Sequence, residues 1–128
     1  LKLNIGSAAP RVQPLQLKIK GRDQVGGNPK VLLVNDEEIR FCLKEVYDNI
    51  VHAIRVALEQ TPPELAADII DKGIVRAGGG SLLHGTDVLL RERTGLPVFY
   101  AEDPLDAVVK GTGAMLDQME LLASIALD

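Results

Sequence analysis

Tryptophan is absent from the 128 residues, and the other aromatics amount to Phe41, Phe99, Tyr47 and Tyr100. So few rings leave no stacking platform for unpaired bases and imply an aliphatic core. A basic excess is also missing: 18 acidic against 14 basic residues give a net charge of -4, so no bulk field attracts a polyanion and nucleic acid is not an expected partner. The single cysteine, Cys42, cannot close an internal disulfide, and neither it nor His52 and His84 falls into a metal-ligand spacing. A reducing, cytoplasmic setting fits this usage, with Cys42 expected as a small core or boundary residue beside a helix stripe. No run approaches the ~18 consecutive apolar residues of a membrane span, and Leu1 to Ile5 does not resemble a signal peptide. The first residue is Leu, not Met, as expected of a piece of a longer chain.

What is present is ordinary for a folded domain: 46% hydrophobic and 25% charged residues. Leu15, Leu17 and Ile19 alternate with Gln16, Lys18 and Lys20, which predicts a half-buried strand. Gly26 to Pro29 supplies a turn, and Val31 to Val34 a returning strand, so a hairpin is expected. Asn4 to Pro14 has the punctuation of a connecting segment. Asn35 and Glu38 form a capping-box pattern before a helix over about 36–60, whose stripe is Ile39, Leu43, Val46, Ile50, Ile54 and Leu58. Thr61, Pro62 and Glu64 predict a second capped helix ending at Gly73.

Residues 74–77 form a short β-branched run that breaks into Gly78-Gly79-Gly80-Ser81, followed by an amphipathic helix closed by Gly95. Residues 97–101 predict a further strand, and Asp103 to Asp106 the cap of another helix. Strand, helix and strand make a βαβ unit, expected to be parallel. Gly111 and Gly113 are costly inside that last helix, at about 1 kcal/mol each relative to Ala, and close packing against the glycine turn would explain them. Leu116 to Leu127 predicts a helical tail docked on its own domain.

The glycine triplet is where chemistry is expected. Between a buried strand and a helix N-terminus, residues without Cβ let a ligand approach the backbone, and exposed N–H groups favour polar or anionic atoms. The usual nucleotide signatures fail in detail. Leu83 stands where a dinucleotide fingerprint needs its third glycine, and Thr86-Asp87 stands where a P-loop needs Lys and Ser or Thr. Spacing alone leaves open a ligand site or a plain tight turn. His84 is expected at the surface or in a cap.

Residues 61–85, with Thr61-Pro62-Pro63-Glu64 and Gly78-Gly79-Gly80-Ser81, resemble the adenosine-binding stretch of MreB, the bacterial actin-like rod shape-determining family. Residues 101–114 resemble its later connecting motif, and Ile5-Gly6-Ser7-Ala8 with Gly21-Arg22-Asp23 the segments before its long helix. The resemblance implies a partial actin-like (ribonuclease H-like) α/β ATPase domain with a small subdomain, residues 1–60, made of a β-hairpin and a long helix. Residues 61–128 would be the C-terminal half of the second large domain. It further implies an ATP-binding, filament-forming cytoskeletal protein that governs rod cell shape by organising wall synthesis. Gly78, Gly79, Gly80, Ser81 and Leu82 would line the adenosine side of its cleft, and Lys2 would approach the same side. ATP or ADP with Mg²⁺ would be bound by the full-length protein, which would be cytoplasmic and membrane-associated and would work with wall-synthesis membrane proteins.

The phosphate-binding hairpins and catalytic residues of that family have no counterpart here, so the chain by itself is expected not to hydrolyse ATP. Membrane contact would belong to segments outside it. The missing strands would leave a sheet edge open, through which the chain is expected to self-associate. Two other readings stand beside this one: part of another actin-superfold protein, such as a sugar or carboxylate kinase or a chaperone ATPase, and an interaction module that binds no nucleotide.

Overall fold

A computed structural model describes residues 1–118 and 123–124. Its elements run α1 (Lys2–Ile5), β1 (Gln16–Arg22), β2 (Pro29–Asn35), α2 (Asp36–Glu59), α3 (Pro63–Lys72), β3 (Ile74–Arg76), a 3₁₀ turn (Gly79–Leu82), α4 (Thr86–Thr94), β4 (Val98–Tyr100) and α5 (Ala107–Leu116). The expected helical tail lies mostly outside the described residues.

β1 and β2 form the expected antiparallel hairpin, with Gln16 opposite Asn35 and Arg22 opposite Pro29. Its connection begins earlier than the glycine pair suggests. The Asp23 carboxylate accepts from the Val25 N–H at 2.9 Å, and the Asp23 carbonyl from the Gly27 N–H at 2.9 Å, so a side-chain-nucleated Asx turn shapes the loop. The hairpin passes directly into α2, whose start has the full capping box: Glu38 N–H donates to Asn35 Oδ1 at 2.8 Å, and Asn35 N–H to Glu38 Oε2 at 2.9 Å.

The α2 stripe is offset from expectation. Tyr47 and Val51 are the apolar side chains that α2 buries, whereas Val46 and Ile50 remain exposed on the flank of the stripe. The core consequently contains one aromatic ring and is not purely aliphatic. Among the described residues it falls into two clusters, Ala8, Tyr47 and Leu83 in one, and Val51, Leu90 and Val98 in the other. Cys42 is exposed and belongs to neither.

β3 and β4 pair in parallel around α4, as expected, with Ile74 opposite Val98 and Arg76 opposite Tyr100. Alternation along the two strands separates two faces. Ile74, Arg76 and Val98 turn toward α2 and α4, while Val75 and Phe99 on the other face are 64% and 51% exposed.

Two helix starts differ from their sequence patterns. Thr61 does not cap α3: its hydroxyl donates to the Ala57 carbonyl at 2.8 Å, closing the end of α2, and Pro62 takes the cap position without a side-chain bond. Asp106 occupies the α5 cap, also without a side-chain bond, and Asp103 pairs with Lys110. Among the described residues, nothing stands within 4 Å of where a Cβ on Gly111 or Gly113 would be, so close packing against the glycine turn does not account for them.

The connecting segment before β1 contains an unexpected helical turn, α1, followed by a buried stretch: Ile5 is 3%, Ser7 0% and Ala8 5% exposed. Ser7 bridges to His84, and the Ala8 N–H donates to the His84 carbonyl at 2.8 Å. Gly85 permits this approach. Its φ is +73°, and a Cβ there would stand 2.8 Å from Ala9, so a side chain would be both strained and obstructed.

Candidate functional site

The glycine turn sits between β3 and α4, pinned at several points. The Gly78 N–H donates to the Pro104 carbonyl, which brings the loop before α5 over the turn. The Gly78 carbonyl accepts from both the Ser81 N–H at 3.1 Å and the Ser81 hydroxyl at 2.7 Å. Ser81 is thereby turned inward and buried. The turn does not begin an α-helix: Gly79–Leu82 is a single 3₁₀ turn, and α4 starts only at Thr86. The helix N-terminus expected directly after the triplet is therefore absent, because Leu83 adopts extended backbone and interrupts the helical path.

The three glycines differ in what requires them. Gly78 has φ +78°, a left-handed conformation that disfavours any side chain. A Cβ on Gly79 would touch the Leu105 side chain at an ordinary 3.5 Å. Gly80 has no positive φ and, among the described residues, no atom within 4 Å of an added Cβ. Nothing within the described chain requires glycine at position 80, and its bare backbone faces open space.

Hollows flank the turn on both sides. A groove of about 310 Å³ runs between α2 and β3, lined at this end by Lys2, Arg76, Gly80 and Ser81. A second hollow of about 240 Å³ is lined by Lys2, Leu3, Gly79, Leu82, Leu83 and Leu105. Of the sequence-identified residues, Gly79, Gly80, Ser81, Leu82 and Lys2 are thus brought together, although Lys2 lies more than seventy residues away in sequence. Gly78 lines neither hollow and acts as the bend. Lys2 is exposed, and the residues around it are mostly apolar.

Two neighbours escaped sequence analysis. Arg76 lies beneath the turn with a side chain only 4% exposed, and Tyr100 lies beside it in register on β4. The available signal was a cation inside the apolar run of residues 74–77. His84 is exposed, as expected, with Nδ1 3.1 Å from the Ser7 hydroxyl. Among the described residues, no group of three or more His, Cys, Asp or Glu could hold a metal ion.

A parallel βαβ unit with a glycine turn, joined through a long helix to a β-hairpin, defines a partial actin-like α/β domain. The family model described as MreB/Mbl protein matches residues 1–124. The chain belongs to the MreB/Mbl family, as the resemblance implied, which sets aside the kinase and chaperone branches of the superfold. Among curated relatives, the cell shape-determining protein Mbl of Bacillus cereus is 46% identical over 127 residues, covering 99% of this chain and 38% of the relative. The cell shape-determining protein MreB of Escherichia coli is 45% identical over 121 residues, covering 94% and 35%. Spiroplasma citri MreB5 bound to AMPPNP superposes with a TM-score of 0.84 at 35% identity, covering 98% of this chain and 38% of that one. The same protein bound to ADP gives a TM-score of 0.83 at 35% identity, covering 94% and 36%. The chain therefore spans little more than a third of the length of the relatives it matches.

Proposed function

We propose that this chain supplies the adenosine-holding part of an ATP-binding, filament-forming cytoskeletal protein that sets rod cell shape by organising wall synthesis. The observation that supports this most directly is Gly80, whose missing side chain has no explanation inside the described chain and leaves room for a ligand against the backbone. The relatives named cell shape-determining proteins, and the solved neighbour bound to AMPPNP and to ADP, point to the same use.

In this reading Gly79, Gly80 and Leu82 form one wall against the nucleoside, Gly78 and Ser81 hold the bend, and Lys2 approaches from α1. ATP supplies a transferable phosphoryl group when bound, and positioning that group requires phosphate contacts, a divalent ion and an oriented water. The hollows beside the turn present one lysine to phosphate and no metal-binding cluster among the described residues, so those contacts and Mg²⁺ fall to other parts of a complete filament subunit. Residues 1–60 serve as the small appended subdomain and residues 61–128 as half of the large one. The complete protein polymerises with its own kind in the cytoplasm beneath the membrane, where wall-synthesis membrane proteins are its partners. Among the described residues, no helix is long and apolar enough to cross a membrane.

Ligand-observed NMR with adenosine and ADP tests the nucleotide site. Saturation transfer to the adenine protons, lost in Gly80→Val, is the expected result, at an affinity no tighter than about millimolar, or about 4 kcal/mol, for a half-site. No transfer from a folded chain would refute a self-sufficient adenosine site at the turn.

A further inference from the structure

The groups around the Arg76 guanidinium come from three parts of the fold. Nη1 donates to the Ser81 carbonyl at 3.0 Å. The guanidinium carbon stands 3.9 Å from the centroid of the Tyr100 ring. Nη2 lies 3.9 Å from the Asp87 carboxylate at the start of α4, beyond hydrogen-bond reach, and among the described residues neither Nε nor Nη2 has a hydrogen-bond partner. A buried cation with so little compensation is costly. A leucine or methionine would fill the same space more cheaply, so packing alone gives a weak account of an arginine here.

We infer that Arg76 is a positioning residue for the nucleotide turn, fixing the Ser81–Leu82 peptide at its outgoing end by holding the Ser81 carbonyl from beneath, and through it the path of the turn, with Tyr100 fixing the guanidinium. Gly78 anchors the first end of the turn through its own N–H and its carbonyl. The outgoing end has Arg76 as its side-chain anchor. Cross-strand register makes this arrangement specific: Arg76 and Tyr100 are opposed in the parallel ladder, so the ring limits where the guanidinium can go. The planar fork also suits this position, since one edge can donate to the carbonyl while the face lies on the ring. Arg76 need not touch the ligand. It acts through the surface that Gly80 presents, and the inference rests on the nucleotide reading only for its functional consequence.

The test uses the whole 128-residue chain, its folded state verified by a dispersed amide spectrum. Arg76→Met retains length and apolar packing but removes the donor; Arg76→Lys restores one donor and the charge. Two readouts are taken, amide hydrogen exchange at Ser81 and Leu83, and ADP affinity from chemical-shift titration. Arg76→Met is expected to speed exchange at both amides and to weaken ADP binding about tenfold, as for a turn held in its binding conformation only about a tenth of the time. Arg76→Lys should recover much of both losses, which a purely volumetric role would not allow. If Arg76→Met does not fold, Tyr100→Leu, which frees the guanidinium without removing it, should change both readouts in the same direction and by less.

Exchange and affinity unchanged in a folded Arg76→Met would overturn the inference, as would failure of Lys to recover either. Should the parent chain bind no ADP while exchange still follows the Met and Lys pattern, a self-sufficient adenosine site fails and the positioning role stands. ADP binding by the parent and both variants alike would separate the two in the other direction.

Discussion

Leu15 and Asp36 exchange hydrogen bonds in both directions: the Asp36 N–H donates to the Leu15 carbonyl at 3.0 Å, and the Leu15 N–H donates to Asp36 Oδ1 at 2.9 Å. The pair clamps the residue before β1 to the first turn of α2, and Arg40 adds an ion pair to the same carboxylate at 3.3 Å. Asp36 is thus buried, yet its charge is satisfied.

Its titration should be visible in stability. The Leu15 N–H bond, assisted by Arg40, holds the Asp36 carboxyl below its ordinary 3.8 despite the opposing effect of burial. A carboxylate whose pKa is depressed on folding contributes stability that is present above the unfolded value and lost as pH falls through the folded one. Denaturant melts between pH 6 and pH 2 should show that loss beginning as pH falls through about 4, and Asp36→Asn should flatten this acid limb while lowering stability at neutral pH. An acid limb identical in the variant would contradict the clamp.

Tyr47 and Thr86 give an asymmetric pair of substitutions. Their hydroxyl oxygens are 2.7 Å apart, and Thr86 Oγ1 also donates to the Leu83 carbonyl at 2.8 Å, so the proton between the two comes from Tyr47. Tyr47→Phe removes one bond and is expected to cost about 0.5–1.5 kcal/mol. Thr86→Val strands the buried phenol and releases the Leu83 carbonyl, at about 1–3 kcal/mol. Urea unfolding of both variants measures the order, which should not reverse.

The glycine turn offers a separation of folding from binding. Gly78→Ala places a side chain at φ +78° and ψ 166°, a region occupied almost solely by glycine, and should destabilise the chain by about 1–3 kcal/mol. Gly80→Ala meets no atom within 4 Å and should leave the melting midpoint within experimental scatter while weakening ADP. Equal losses of stability in the two variants would mean that Gly80 has a structural role in the chain.

Local signals made much of this fold legible. The Asn35 and Glu38 box, the Gly73 and Gly95 stops, and the parallel pairing of β3 with β4 all follow from residues near one another in sequence. Competition for a single group was harder to see. Thr61 has a pattern suited to starting α3, but its hydroxyl bonds back to Ala57 at the end of α2. The turn at Gly78 to Ser81 stood out, whereas Arg76 beneath it did not, because an apolar run gives no sign that one strand neighbour will be Tyr100. The offset of the α2 core toward Tyr47 and Val51 likewise depends on where Leu83, Leu90 and Val98 arrive. Such placement is tertiary and overrides the helical stripe.

The outer face of the β3 and β4 pair leads to a prediction about assembly. Val75 and Phe99 are opposed in register and exposed, and among the described residues the ladder has two strands, so each of them is an edge strand. Burying such a face against a second copy removes apolar surface from water at roughly 25 cal/mol per Å². Isolated chains should therefore associate with concentration, as measured by sedimentation equilibrium. Val75→Lys with Phe99→Lys, which opposes like charges across any such contact, should shift the equilibrium toward monomer without altering the circular dichroism of the fold. Association that persists unchanged in the double variant would move the contact elsewhere, with the exposed Val31, Leu32 and Leu33 of the hairpin the next surface to alter. A parent chain that stays monomeric at every concentration would show that this face tolerates water and that its exposed pair of side chains does not drive assembly.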